Sequence, residues 1–251
     1  MLGALALSAA MSTREAAADR RAYGETYEAV TAPKGELDVE LWTTYARLGE
    51  IDGGPASRGV RQMIELEYGI TDRWDMALYN MFDAITTGDT SSGYAGAKLE
   101  TRYRPIPRGS WIVDPIFYLE AAERLRGDAK QSLEGKLIVA RDFGRVNTAL
   151  NAAFEGERLN DGSLHPELEW AFGTSYAISP ALIFGGEVFG KDEPGDPGMP
   201  WQHRAWAGPA ISFAAGTGSI MRGIWVTLAA GGGLTPASDH YYGRTVVGLQ
   251  F

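Results

Sequence analysis

At 251 residues the chain could form one large domain or two small ones, and a hydrophobic share of 45% excludes a disordered chain. Thirty-two Gly, twelve Pro and 11% aromatic residues, with no low-complexity tract, point to many short strands and turns and so to an all-β fold. A net charge of −9 with a pI near 4.9 argues against nucleic acid and against polybasic attachment to anionic lipid; the lack of Cys excludes disulfides, thiolate metal sites and a thiol nucleophile.

The chain begins MLGALALSAAM, an apolar run of the length of a signal-peptide h-region, and Ala16-Ala17-Ala18 before Asp19 offers the small residues a signal peptidase reads. Residues 1–18 therefore read as a signal peptide. No Lys or Arg precedes the run, so a positively charged n-region is expected upstream of Met1; the competing reading is a short buried helix. Residues 19–34 are expected as a periplasmic segment ahead of a β domain over 35–251. No run of about 18 or more uncharged apolar residues occurs, so a transmembrane helix is excluded.

From residue 35 the hydropathy pattern has period two. GELDVELWTTYARL sets Leu37, Val39, Leu41, Thr43 and Tyr45 against Glu36, Asp38, Glu40, Trp42 and Thr44. VRQMIELEYGI, the turn Thr71-Asp72-Arg73 and WDMALYNMF form a hairpin with Ile64, Leu66, Trp74 and Leu78 on one face and Glu65, Glu67, Asp75 and Asp83 on the other. YAGAKLETRYR sets Ala95, Ala97, Leu99, Thr101 and Tyr103 against Lys98, Glu100, Arg102 and Arg104, and WIVDPIFYLEAAER sets Phe117 and Leu119 against Asp114, Tyr118 and Glu120. Further strands are expected over 131–141, 146–157, 165–176, 181–190, 203–213, 222–232 and 241–251, about twelve in all. TDR, PIPRGS, DFGR and AISP read as tight turns; EIDGGPAS, TTGDTSSG, LNDGS, KDEPGDPGMP and GLTPASDH read as longer loops.

Alternation alone fits a soluble sandwich as well as a membrane barrel. The even strand count, short turns at one end and longer loops at the other are the arrangement of an outer-membrane barrel, in which closure leaves no unpaired edge in lipid. Aromatics on the apolar face gather toward strand ends, with Tyr68, Trp74, Tyr103, Trp111 and Phe251 near the turns and Tyr45, Phe82, Phe154 and Tyr241 near the loops, as two interfacial girdles require. The reading is a transmembrane antiparallel up-and-down β-barrel, monomeric, in the bacterial outer membrane.

The last strand ends in Thr245, Val247, Leu249 and Phe251 on one face. This terminal Phe with apolar residues at alternate positions resembles the C-terminal assembly signal of bacterial outer-membrane barrels, which implies their lipid and their barrel assembly machinery as partners. ELEYGITDRWDMALY, AWAGPAISF and the terminal strand resemble the outer-membrane transporters grouped with the MetA pathway of phenol degradation; the resemblance implies fold and location, not a substrate.

The charged face supplies the candidate solute pathway: Glu65, Glu67, Lys98, Glu100, Arg102, Asp114, Glu120, Glu134, Lys136, Glu155, Glu167, Glu169, Glu187, Arg204 and Arg244. Acids outnumber bases here, so an open lumen is expected to favour cations or neutral small solutes. The alternative is a structural or adhesive barrel whose Glu–Arg and Glu–Lys pairs plug the lumen. His165, His203 and His240 all fall at the loop end, but their spacing does not demand convergence, and no metal or other cofactor is expected. Asp192, Glu193 and Asp196 of KDEPGDPG are read as a solvated loop before a weak calcium site. No GxSxG, HExxH or Gly-rich phosphate loop occurs, so no catalytic residue is assigned.

Overall fold

Alternating faces require two environments, and the chain provides them by closing one sheet on itself. The computed structural model describes residues 20–48, 57–87, 89–127, 129–195, 200–216 and 223–251; the expected signal peptide lies outside these residues. The strands are β1 (Leu37–Leu48), β2 (Ser57–Thr71), β3 (Trp74–Thr87), β4 (Asp89–Tyr103), β5 (Asp114–Arg124), β6 (Ala129–Phe143), β7 (Val146–Leu159), β8 (Leu164–Ser179), β9 (Leu182–Glu193), β10 (Gln202–Gly216), β11 (Gly223–Gly233) and β12 (Tyr241–Gln250). Each pairs antiparallel with its sequence neighbours, and β12 closes on β1 from Asp38↔Gln250 to Arg47↔Tyr241. Closure satisfies the backbone groups that an open edge would leave bare in hydrocarbon. At the seam Phe251 N donates to Leu37 O at 3.0 Å.

The outer face carries exposed Leu41, Ile64, Leu66, Leu78, Leu99, Leu119 and Leu137, the apolar band that lipid solvates. Tyr68, Trp74, Tyr103 and Trp111 are exposed toward the turn end, while Phe82, Phe154 and Tyr241 are exposed toward the loop end. In β12 the residues Thr245, Val247 and Leu249 take the outer positions and Arg244, Val246 and Gln250 the inner ones.

Four sequence expectations require correction. TTGDTSSG is not a long loop: β3 runs to Thr87 and β4 starts at Asp89. The Thr86 and Thr90 hydroxyls lie 3.0 Å apart across that tip, so the Thr-rich segment pairs as strand. PIPRGS, by contrast, belongs to the longest connection of its end, residues 104–113. Ala95, assigned to the lipid face, is buried and packs inside, because the β3–β4 register shifts at Met81/Phe82 and a bulge turns Ala95 inward. Finally, residues 20–36 do not sit outside the barrel. They fold into its interior, where Ala22, Tyr23 and Ala29 pack against Ile116, Ile138, Ala140 and Ala149 of β5–β7. Part of the lumen is thus a hydrophobic core, not a lining of paired charges alone.

Candidate functional site

The interior segment 20–36 enters from the turn end, rises to mid-barrel and returns. At its entry Arg20 Nη1 donates to Pro180 O at 3.0 Å, beside the Pro180-Ala181 turn; at its exit Thr31 Oγ1 donates to Asp72 O at 3.2 Å and Ala32 N to Asp75 Oδ2 at 2.9 Å. One side chain takes most of the backbone donors of its apex. The Glu187 carboxylate of β9 accepts from the backbone N–H of Gly24, Glu25 and Thr26 at 2.9 Å each, from Thr26 Oγ1 at 3.0 Å and from Tyr242 OH at 3.1 Å. Asn151 of β7 holds Tyr27 through both its backbone groups, accepting from Tyr27 N at 2.6 Å and donating to Tyr27 O at 2.9 Å. Tyr23 OH donates to Asn147 Oδ1 at 2.9 Å.

Two glycines make room for this close approach. A Cβ on Gly24 would fall 2.6 Å from Ala229 Cβ and 2.9 Å from Glu187 Oε1, and one on Gly173 would fall 2.7 Å from the Tyr23 ring. Neither position accepts a side chain without displacing the segment.

Above the apex, toward the loop end, lies a cavity of about 470 Å³. Glu25 and Tyr27 of the segment contribute to its lining, as do Trp42, Tyr79 and Tyr118 from the strands, while Ala46, Val60 and Ile85 mark its loop-end rim. Its charged lining is balanced: Glu25, Asp83, Glu120, Glu134, Glu155 and Glu169 against Arg61, Lys98, Arg124, Lys136, Lys191 and Arg244. Most of these charges are cross-linked. Lys98 Nζ lies 2.7 Å from Glu120 and over the Tyr79 ring at 4.2 Å; Lys136 lies 2.8 Å from Glu134 and over Tyr118 at 4.5 Å. Arg61 binds Asp83 through Nε and Nη2, at 2.8 and 2.9 Å, and Arg124 reaches Glu155 at 3.2 Å. Arg244 joins the segment, with Nη1 at 2.6 Å from Glu25 Oε2 and 2.9 Å from Gly24 O.

The remaining expected lumen residues divide between a deeper group and the mouth. Glu65, Glu67, Glu100 and Arg102 are buried in the β2–β4 wall, where Arg102 pairs with Glu67 and with Asp75 at 3.0 Å and Glu65 accepts from Trp42 Nε1 at 2.8 Å. Asp38, Glu40, Glu65, Glu67, Asp75 and Glu100 all belong to the β1–β4 part of the wall, against Arg102 of β4 and Arg21 of the segment. The acid excess read from the sequence is therefore concentrated in the buried wall and not in the cavity. Near the mouth Lys191 bridges Glu167 at 3.0 Å and Glu193 at 2.9 Å, and Arg204 binds Glu193 at 2.8 Å. Asp114 accepts from Gly109 N at 2.5 Å and fastens the 104–113 connection.

The histidines do not gather. His203 Nδ1 lies 2.6 Å from Asp192, whereas His165 stands with Glu167 and Glu193, their ligand-capable atoms within 4.8 Å of one another. Lys191 already places its ammonium against both of those carboxylates. Asp192 and Glu193 belong to β9 and not to a solvated loop, with Asp192 Oδ1 2.6 Å from His203 Nδ1 and Glu193 paired with Arg204 of β10; Asp196 lies outside the described residues. Sequence reasoning missed the interior side chains of segment 20–36, Arg21, Tyr23, Glu25 and Tyr27, and the residues Asn147 and Asn151 that hold Tyr23 and Tyr27. The available signal was three buried-type residues, two of them Tyr, in the non-alternating stretch RRAYGETY.

Fold and site together define a closed transmembrane β-barrel of outer-membrane architecture, with an internal segment under a polar cavity. No family model and no curated protein matches the chain. Among solved structures it is similar to the KdgM porin in complex with disordered oligogalacturonate, at a TM-score of 0.52 and 9% identity over 86% of this chain and 98% of that one. It is also similar to the NanC porin, at 0.51 and 11% over 85% and 98%. A third likeness is to the translocator domain of the autotransporter NalP from Neisseria meningitidis, at 0.53 and 10% over 88% and 89%. At these identities the likeness is one of fold.

Proposed function

We propose that the protein is a channel or transporter for small solutes in the bacterial outer membrane, taking solute into the cavity from outside and passing it when segment 20–36 yields toward the periplasm. The observation that carries this reading is the cavity of about 470 Å³ whose inner boundary is formed by the segment's own Glu25 and Tyr27. A purely structural barrel has no need to keep a charged, aromatic-lined cavity beneath its loops.

Charge selectivity follows from which surface is uncovered. With the segment in place the cavity is balanced and discriminates little by sign; with it withdrawn, Arg21 leaves the acidic β1–β4 wall and the path favours cations. A second reading, a plugged structural barrel, is favoured by the density of hydrogen bonds at the apex. Planar-bilayer recording separates the two. Current from the full chain that rises, with a reversal potential shifted toward cations, when residues 21–34 are deleted supports the channel; silence from both forms leaves the structural barrel.

A further inference from the structure

The guanidinium of Arg21 occupies a seat with more recognition chemistry than a structural ion pair requires. Its Cζ lies 4.3 Å from the centre of the Trp42 ring and 4.4 Å from that of Tyr27, so the flat cation is in contact with two π-faces. Nε stands 3.4 Å from Glu40 Oε2. The Trp42 indole is fixed in turn by its Nε1–H donated to Glu65 at 2.8 Å, while the other oxygen of fully buried Glu65 accepts no hydrogen bond. Trp42 and Tyr27 also line the cavity. The seat thus shares two side chains with the cavity that a solute from the loop end would reach, while Arg21 and Glu40 themselves lie outside the cavity lining.

We propose that this seat is a binding site for guanidinium and other weakly hydrated organic cations, with Arg21 as its built-in occupant. The chemistry selects that class. Two aromatic faces attract a flat, poorly hydrated cation, whereas a small hydrated metal ion would need several converging oxygens, and here one carboxylate of β1 makes the contact. Arg21 acts as a tethered competitor: a solute that carries the same group exchanges with it. The route of entry rests on the channel reading above, but the binding itself does not.

The Arg21→Ala variant empties the seat while Glu187, Asn151 and Asn147 still hold the segment and its Tyr27. Purified full-length protein in detergent is titrated with agmatine, a guanidinium compound without a carboxylate, by calorimetry. Arg21→Ala is expected to bind at least about tenfold more tightly than the unaltered chain, and addition of Trp42→Leu to reverse the gain. Equal affinity in Arg21→Ala and the unaltered chain, or retention of binding in the double variant, overturns the proposal.

A second measurement leaves Arg21 in place. In an Ala29→Cys chain, agmatine exchanging with Arg21 removes only that side chain's share of the hold on the segment, so maleimide labelling rises to the level of the Arg21→Ala chain and no further, and sodium chloride at equal ionic strength does not raise it; labelling that responds alike to both salts counts against the site. Bilayer recording on the same preparations keeps the two readings apart. A chain that conducts without binding agmatine loses the site and keeps the channel, and one that binds without conducting does the reverse.

Discussion

Glu187→Ala is the sharpest test of how the segment is held. The substitution removes the common acceptor of the Gly24, Glu25 and Thr26 N–H groups, all at 2.9 Å, together with that of the Thr26 and Tyr242 hydroxyls. Leaving a buried donor unsatisfied costs about 1–3 kcal/mol, so the three backbone groups at the low end alone remove about 3 kcal/mol from the docked state. That lowers the ratio of docked to released segment by roughly 100-fold. The chain has no Cys, so a single probe at Ala29, which is 1% exposed when docked, reports on release without background. In Ala29→Cys the maleimide rate is expected to rise on addition of Glu187→Ala by one to two orders of magnitude, with Glu187→Gln between them because one oxygen acceptor remains. Folded barrels are counted by heat-modifiable electrophoresis, which separates release of the segment from failure of the wall. An unchanged labelling rate in a folded Glu187→Ala barrel would refute the reasoning that this carboxylate is the latch.

Three other outcomes follow from the packing. Gly173→Ala puts a Cβ 2.7 Å from the Tyr23 ring and is expected to raise Ala29→Cys labelling; Tyr23→Ala in the same chain should relieve the clash, and no change in either variant would contradict the contact. Arg102→Leu leaves Glu67 and Asp75 as uncompensated buried charges, for a loss of about 3–5 kcal/mol in denaturant unfolding from micelles; a loss below about 1 kcal/mol would show that the cluster is not charged as drawn. Phe251→Asp, which replaces an exposed terminal ring by a charge, or deletion of Phe251, which also removes its main-chain bond to Leu37 at the closing seam, should reduce the membrane-assembled barrel in cell fractions without abolishing synthesis; normal assembly would sink the terminal-signal reading.

The sheet was legible from the sequence because the side-chain direction of a strand is a local property. Once Glu65, Glu67, Glu100 and Glu120 alternate with Leu66, Leu99 and Leu119, their facing follows from period two and only the choice of lipid-facing side remains. Aromatics at the strand ends settle that choice. Local reading failed where a single residue broke the period, as at Ala95, since a bulge is decided by register with the partner strand.

Segment 20–36 was beyond such reading for a different reason. It has neither helical nor strand periodicity, and its partners Asn147, Glu187 and Thr227 are 124 to 206 residues away in the chain. By itself the sequence determined a twelve-stranded barrel, its lipid-facing side and its charged inner face. Only the tertiary structure decided that the inner half of that barrel is occupied by its own N-terminal segment, which leaves a balanced cavity above and seats Arg21 in the acidic wall, because those contacts arise only after the sheet has closed.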